Sequence, residues 1–339
     1  MNSGRLLVSC ALEAWRNGAF YKTLNAGSMS VRMEADAGIK VAFSGRIAFD
    51  PDLDLLADRF RPYQIVDGAR YPMGEFLITT ASEHTEGGGR WWEAEGYDQT
   101  LLLQQATLTQ PLRFPAGTPY LDAVKSLLAT AGIGRVMAEP SALALSADRE
   151  DWELGTSLLD VANGLLSEIN YRGVWFDRDG VARLAPAKAA AAENITQSYP
   201  AGQSTLLEGF ARESDAFSAY NVFTAVYSAP GAAPLVSVAV NNDPRSPLST
   251  VRRGVRACAP VEYVDGIASQ DELDAYAARL LSESLLSHET VQFETAPVPS
   301  HWIGEIVAAG GAIYQETGWE LQLGEGGSYT HTARRSVAI

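Results

Sequence analysis

Cysteine is nearly absent from this sequence of 339 residues. The two cysteines, Cys10 and Cys258, lie far apart and form no C-x-x-C pair. Their spacing therefore predicts neither a structural zinc site nor a disulfide framework. We expect two unpaired thiols in a protein made in a reducing cytoplasm.

Basic residues are also scarce, with 26 Lys and Arg against 41 Asp and Glu and a formal net charge of −15. A nucleic-acid-binding role needs clustered cations that replace the counterions of phosphates, so the balance argues against it. It equally argues against docking to an anionic membrane. The acidity indicates either simple solubility or a surface that repels DNA or attracts a basic partner.

Long apolar runs are missing as well. The run from Val8 to Leu12 is broken at once by Glu13 and Arg16, so it does not resemble a signal peptide. No segment approaches the ~18 apolar residues of a membrane span. We expect no membrane partner, and a protein that stays where it is made unless a larger assembly carries it.

Short strand-like segments fill the first and last thirds of the chain, in which 46% of residues overall are apolar. Residues 30–35 alternate, Asp67-Gly68 predicts a turn, and residues 83–95 predict a hairpin whose tip is Gly87-Gly88-Gly89. In the last third, residues 241–244 predict another turn. Many short strands with closely spaced turns indicate a barrel or a sandwich.

Helical spacing appears in between. Thr118 as N-cap and Pro119 at the first helical position predict a helix that ends at Gly132. Ser157 with Asp160 resembles a capping box, and residues 174–185 predict a hairpin after that helix. Residues 112–203 thus form a small mixed α/β module. A third helix, residues 269–287, is predicted from the capping pair Ser269 and Glu272.

Catalytic motifs are absent. The sequence has no phosphate-binding G-x-x-x-x-G-K-[ST] loop and no G-x-S-x-G elbow, and Gly132-Ile133-Gly134 lacks a third glycine. None of the four histidines has the spacing of a zinc-binding helix, so we interpret them as surface or loop residues. We therefore predict no catalytic, cofactor-binding or metal-binding residue. The histidines are His84, His288, His301 and His331.

Three other features allow weaker functional alternatives. The carboxylates of residues 50–54 (Asp-Pro-Asp-Leu-Asp) could hold a metal, but a solvated turn leading into a helix is the simpler interpretation. Residues 177–180 lack the ligands of a calcium loop and predict a hairpin turn. Trp91 and Trp92 could stack on sugars, but adjacent strand residues point to opposite faces, so we expect one in the core and one at a subunit contact. A glycosidase carboxylate pair stays open because separations are unknown.

One ordered set of segments resembles a known family. Trp152, Gly155, Thr156 and Ser157 precede a helix, and Tyr-Arg-Gly-Val-Trp-Phe-Asp follows at residues 171–177 with Gly180 behind it. This is similar to a stretch of phage tail hub and tail-tip proteins. The segments Ser214-Asp215, Asn221-Val222-Phe223, Asn242 to Pro247 (Asn-Asp-Pro-Arg-Ser-Pro), the Ser269 helix and Pro299 to Val307 follow in the family's order, so the resemblance covers about residues 60–339.

The resemblance implies an α+β, mainly β fold with two tube-like antiparallel β-barrels and an inserted small α/β module. The first barrel would comprise residues 1–111, completed by 204–250. The module would be residues 112–203, and the second barrel residues 251–339 with the helix 269–287. Gly304-Glu305 stands where the family often has Gly-Asp, a mild departure.

The resemblance also implies a function. The chain would be a non-enzymatic structural hub subunit, without a cofactor, in the virion tail tip or baseplate, assembled in the host cytoplasm. Three copies would form a ring joining the hexameric tail tube, or a distal tail protein, to a spike, fibre or tape-measure protein. DNA would pass the channel without specific binding. No lysozyme-like module follows Ile339, so we expect another chain to digest the cell wall. A receptor- or carbohydrate-binding tail protein and a cell-wall or polysaccharide hydrolase are the alternatives.

Overall fold

A computed structural model describes residues 7–188, 191–200, 211–214, 220–228, 233–264, 267, 269–286, 289–297 and 301–335. The structure has 45% strand and 17% helix, so the predicted mainly β, α+β class is confirmed. The strands are β1 (Val8–Arg16), β2 (Ala19–Leu24), β3 (Ala26–Glu34), β4 (Val41–Ala48), β5 (Arg59–Val66), β6 (Ala69–Pro72), β7 (Leu77–Glu86), β8 (Gly89–Tyr97), β9 (Val136–Ala138), β10 (Trp175–Phe176), β11 (Ala182–Leu184), β12 (Ile195–Tyr199), β13 (Ala211–Ser214), β14 (Val222–Tyr227), β15 (Leu235–Val240), β16 (Glu262–Val264), β17 (Glu289–Thr295), β18 (Ile306–Ala309), β19 (Ala312–Leu323) and β20 (Tyr329–Arg335). The helices are α1 (Thr100–Gln105), α2 (Tyr120–Thr130), α3 (Leu158–Glu168), α4 (Thr250–Arg253) and α5 (Gln270–Leu286).

The largest sheet joins both ends of the sequence. Its path runs β13-β17-β20-β19-β3-β4-β8-β7, with β18 pairing both β19 and β12. The junction is the antiparallel pair β3 and β19, in which Met33 lies opposite Trp319 and Val31 opposite Leu321. All four of these side chains are buried, because the alternation of a strand puts every second residue on the inner face. The four-stranded sheet β2-β1-β5-β6 shares this core.

Helices α2 and α3 and the short sheet β10-β11-β9 share a second core. The predicted N-cap Ser157 is confirmed, since its Oγ accepts a hydrogen bond from the backbone N of Asp160 at 3.0 Å. The Asp160 carboxylate accepts a bond from the Ser157 hydroxyl at 2.6 Å. The predicted N-cap Thr118 is wrong. Pro119 occupies that position without a side-chain cap, and the Thr118 hydroxyl instead donates to the carbonyl of Pro115 at 2.7 Å.

A separate three-stranded sheet, β15-β14-β16, carries helix α5 on one face. The predicted opening of α5 is confirmed, because Ser269 Oγ accepts from the backbone N of Glu272 at 3.2 Å. The buried contacts include Ala225 of β14 and Leu273 and Ala277 of α5. The opposite face of this sheet is not covered by α5, because alternate strand residues point away from the helix.

The division into two tube-like barrels with an insert at 112–203 stays a prediction. Residues 204–210, Asp215, residue 287 and Pro299, which that prediction or the resemblance includes, lie outside the described residues. No helix in the described part of the chain has the length and apolar character that crossing a membrane requires.

Candidate functional site

A group of ionisable side chains lies inside the largest sheet. Glu316 of β19 follows Tyr314 on the inward-facing side of the strand, and His331 of β20 lies between Tyr329 and Ala333 on the inward side of its own. His301 comes shortly before β18. None of the three side chains of this His–Glu cluster, His301, Glu316 and His331, has measurable exposure. The interpretation of the histidines as surface or loop residues is therefore wrong for His331, which strand alternation puts on the inner face of β20. His301 does lie in a loop, but the loop is buried.

The Glu316 carboxylate lies between the two imidazoles. Its Oε1 is 2.6 Å from His301 Nε2 and 2.7 Å from His331 Nδ1. Its Oε2 is 2.5 Å from His301 Nε2, yet this oxygen has no partner in hydrogen-bond geometry among the described residues. One carboxylate therefore faces a ring nitrogen of each histidine, and one of its oxygens is left without a hydrogen bond in the interior.

The outer ring nitrogens of both histidines also have partners. His331 Nε2 is 2.8 Å from Thr295 Oγ1, and Thr295 is fully buried. His301 Nδ1 is 2.8 Å from Glu305 Oε2. Thr295 thus forms a hydrogen bond with the outer nitrogen of His331, whereas Glu305 forms an ion pair with that of His301 outside hydrogen-bond geometry. The other nitrogen of each ring faces Glu316.

The pKa values of the two imidazoles are shifted in opposite directions by their surroundings. Burial opposes charging of His301, but the carboxylates of Glu316 and Glu305 outweigh it and raise its pKa to about 9. Burial lowers the pKa of His331 below its usual value despite the contact with Glu316. The pKa of the Tyr329 hydroxyl is raised, chiefly by burial. At neutral pH the cluster therefore holds one imidazolium, on His301, beside a neutral His331.

Aromatic rings enclose the cluster. Phe293 and Tyr329 both stack on the His331 ring, with ring centres 4.6 Å and 5.5 Å from it. Trp319 and Tyr329 both meet the His301 ring edge-on. These apolar walls exclude bulk water and strengthen every electrostatic interaction inside.

A cavity of about 580 Å³ lies next to the cluster, between the strands β9 and β11 on one side and the segment before β18 on the other. Trp302 and Glu305 belong to its wall, so Glu305 connects the cavity with His301. Arg172 also lines it and has no ion pair or hydrogen bond from its guanidinium to a described residue, and burial lowers its pKa. Gly304 has a φ of +65°, a left-handed conformation that favours glycine, and it lies close to that guanidinium.

The remaining candidates from the sequence have ordinary structural roles. Asp50 accepts from Lys22 Nζ at 2.7 Å. Asp54 Oδ1 accepts from the backbone N of Leu56 and of Ala57 at 3.1 Å each. The solvated turn is confirmed, but the helix expected after it is wrong, because residues 51–57 form only turns stabilised by these carboxylates.

The predicted hairpin turn at 177–180 is confirmed. Asp177 Oδ1 accepts from the backbone N of Asp179 and of Val181, at 3.0 Å each, so this carboxylate serves the turn. The prediction for the adjacent tryptophans is confirmed in its first half, since Trp92 packs in the core against Phe49 at 4.8 Å.

Trp91 lies beneath the guanidinium of Arg46, 3.6 Å from the ring centre. Its predicted place at a subunit contact stays a prediction. The more exposed His84 stacks on the same ring at 5.8 Å. His288 lies outside the described residues.

The uncovered face of the β15-β14-β16 sheet is apolar. We name it the outer face and define it by Thr224, Val226, Val236, Val238 and Tyr263, which the pairing of the strands puts on one side. Val236, Val238 and Tyr263 are 48%, 50% and 76% exposed. No charged side chain belongs to this row, and β15 and β16 are both sheet edges.

Comparison with known proteins gives matches in structure alone. No family model matches the chain, and no curated protein matches it. A tail protein from Neisseria meningitidis has 17% identity and a TM-score of 0.70, with 96% of this chain and 97% of that one covered. The 43 kDa tail protein of prophage MuSo2 from Shewanella oneidensis has 10% identity and a TM-score of 0.69, with 97% and 98% covered.

A third match is a component of the Escherichia coli type VI secretion system that is structurally similar to the T4 bacteriophage tail proteins gp27 and gp5. It has 13% identity and a TM-score of 0.53, and 95% of this chain and 76% of that one are covered. The chain therefore has the fold of phage tail proteins over nearly its whole length. The predicted resemblance is confirmed for the fold.

Proposed function

We propose that the chain is a structural hub subunit of a phage or phage-like tail tip or baseplate. Three copies form a ring that joins the hexameric tail tube to a distal spike or fibre. The observation that carries the proposal is the full-length match to two prophage or bacterial tail proteins, with 96% and 97% of this chain covered. The secretion-system match, itself similar to T4 gp27 and gp5, supports an assembly role, and the virion tail follows as the location.

The charge of the chain limits where copies can meet. Each copy carries a formal charge of −15, so copies repel one another until an uncharged surface comes into contact. The outer face offers such a surface, because its five side chains are uncharged and three are strongly exposed. Exposed apolar patches of this kind typically mark association sites. We therefore assign the outer face to the contact between neighbouring copies.

The acidity also suits a channel. Acidic groups facing the lumen repel phosphates, so DNA passes without binding. Asp and Glu concentrated on the outer rim of a solved ring, instead of the lumen, would contradict this part of the proposal.

The carboxylates that the sequence offered as candidate catalytic groups have structural roles, which agrees with an assembly function. Asp54 and Asp177 accept hydrogen bonds from backbone amides of their own turns, and Asp50 binds Lys22 of β2. These contacts leave the carboxylates little freedom to act on a substrate. Peptidoglycan or polysaccharide cleavage by the purified chain would favour the hydrolase alternative. Glycan binding would favour the receptor-binding alternative.

Light scattering with matched variants tests the contact. We expect the wild-type chain to reach about three times its mass of 36.4 kDa at high concentration. The double variant Val236→Ser/Tyr263→Ser should be shifted toward monomer, because each lost apolar contact weakens association by about 1–2 kcal/mol. Leu56→Ser is the control, since Leu56 is 82% exposed and lies outside the outer face. A double variant that associates like the wild type would refute the assigned contact.

A further inference from the structure

We propose that His301, Glu316 and His331 form a binding site for one divalent transition-metal ion of the zinc class. The ligand atoms would be His301 Nε2, His331 Nδ1 and the carboxylate of Glu316. Potential ligand atoms of these three residues lie within 4.8 Å of one another. Two imidazoles and one carboxylate are a donor set that suits zinc, iron, nickel or copper, whereas magnesium and calcium prefer oxygen ligands alone.

The two imidazole rings each direct one nitrogen toward Glu316 and the other away from it. The nitrogens that face away from the centre already have oxygen partners, Glu305 at 2.8 Å from His301 and Thr295 at 2.8 Å from His331. Histidines that bind metals usually have such a partner on the second nitrogen, which fixes the tautomer and the ring orientation. Here His331 has a hydrogen-bonding partner and His301 an ion-pair partner, and both of the other nitrogens converge on the same carboxylate.

One oxygen of the Glu316 carboxylate accepts no hydrogen bond from a described residue. This oxygen, Oε2, is fully buried and forms an ion pair with His301 Nε2 at 2.5 Å. Buried charged oxygens normally accept a hydrogen bond as well. An ion placed between the carboxylate and the two nitrogens would give this oxygen a strong contact and would require only side-chain movements.

The present spacing requires a small opening of the site. Bonds of about 2.0–2.1 Å in a tetrahedral arrangement put neighbouring ligand atoms about 3.3 Å apart. The nitrogen–oxygen distances are now 2.5–2.7 Å, which are distances for shared protons. Loading therefore moves the Glu316 carboxylate away from the ring nitrogens by roughly 0.7 Å. It also brings ligand atoms that now lie up to 4.8 Å apart to about 3.3 Å from one another, so the rings must turn as well.

Protons balance the exchange. The ion displaces the proton of His301 from Nε2 to solvent, while the proton on Nδ1 stays with Glu305. His331 moves its proton from Nδ1 to Nε2, where it donates to Thr295 Oγ1. Metal ligands must be deprotonated, so the same atoms hold either protons or the ion. The site is internal to one chain and does not depend on the proposed ring.

Metal analysis of purified, chelator-treated chain tests the proposal. After dialysis against zinc, we expect the wild type to retain about one ion per chain. Glu316→Gln keeps the size and a hydrogen-bonding oxygen but loses the charge, and we expect its affinity to fall at least about 100-fold. The control is His84→Gln, which removes an exposed histidine near Glu93 and should bind like the wild type.

Cobalt provides a readout that does not depend on the stability of the variants. Wild-type chain loaded with Co²⁺ should develop visible absorption bands characteristic of nitrogen and oxygen ligands in low coordination number, and a competing chelator should abolish them. Three results would overturn the proposal: no retained ion in the wild type, an unchanged affinity in folded Glu316→Gln, or loss of the ion in His84→Gln. If the wild type retains no ion, the His–Glu cluster is held by shared protons alone.

Discussion

The His–Glu cluster and the outer face depart from the usual distribution of residues in opposite ways. The cluster puts two imidazoles and a carboxylate where exposure is zero, whereas the outer face leaves Val236, Val238 and Tyr263 largely in solvent. The inward polar groups have partners within the chain. The outward apolar groups have none on their own sheet. The side chains of the first region thus contact one another within one copy, whereas those of the second are largely exposed there.

The difference has an energetic consequence. Burial of charge is tolerated only with matched partners, so removing one partner is costly. Exposed apolar side chains contribute little to the stability of one copy and act through association. Substitutions should therefore change folding stability in the cluster and oligomeric state on the outer face.

The largest effect is expected at Glu316. The substitution Glu316→Gln removes one of the two buried carboxylates that contact the His301 imidazolium, and we expect a loss of about 3–5 kcal/mol in the free energy of unfolding. Urea denaturation measures it. Glu320→Gln is the matched control on the same strand, where Glu320 is exposed, and it should change stability by less than about 0.5 kcal/mol. Equal effects of the two substitutions would remove the distinction between buried and exposed positions.

Asp98 is a second buried carboxylate, and it tests how far burial alone disfavours the ionised form. Burial raises the pKa of Asp98 to about 6 from 3.8, although hydrogen bonds from Thr100 oppose the rise. The folded-state pKa lies above the unfolded value, so protonation of Asp98 favours the folded state. The free energy of unfolding therefore rises as the pH falls from about 6 to below 3.8.

Relative to Asp98→Asn, the wild type should gain about 3 kcal/mol between pH 7 and pH 3.5. The difference between the two denaturation curves, measured over this range, isolates the titration of Asp98. A difference that does not vary with pH would show that the carboxyl of Asp98 is no more costly to ionise than in the unfolded chain.

The smallest change in stability is expected from replacing valine with threonine, which we compare at a buried and at an exposed position. Val291 is fully buried next to the cluster, and Val238 is half exposed on the outer face. Val291→Thr buries a hydroxyl and should cost about 1–3 kcal/mol. Val238→Thr should stay within about 0.5 kcal/mol of the wild type. Thermal denaturation of dilute samples compares them, and a larger loss at Val238 would mean that its face is covered within one copy.

Local features were predictable because neighbouring residues determine them. The caps at Ser157 and Ser269 and the turn at Asp177 each form through backbone amides two to four residues away. The cap at Thr118 was predicted wrongly for the same local reason, since both Thr118 and Pro119 are suited to helix entry and only the bond to Pro115 decides between them.

Long-range features were not predictable in this way. The pairing of β3 with β19 joins opposite ends of the chain, and no local pattern specifies it. The residues of the cluster are spaced by 15 positions, far from any metal-binding motif. One signal was available: Glu316 and His331 each lie at inward positions of alternating strands, where a charged or titratable residue must have a partner.

Cryo-electron microscopy of the concentrated wild-type chain tests the central claim most directly. We expect a closed ring of three copies around an open channel, with the outer face of each copy buried against its neighbour. A particle that remains a single copy at high concentration, or a two-fold dimer without a channel, would contradict it.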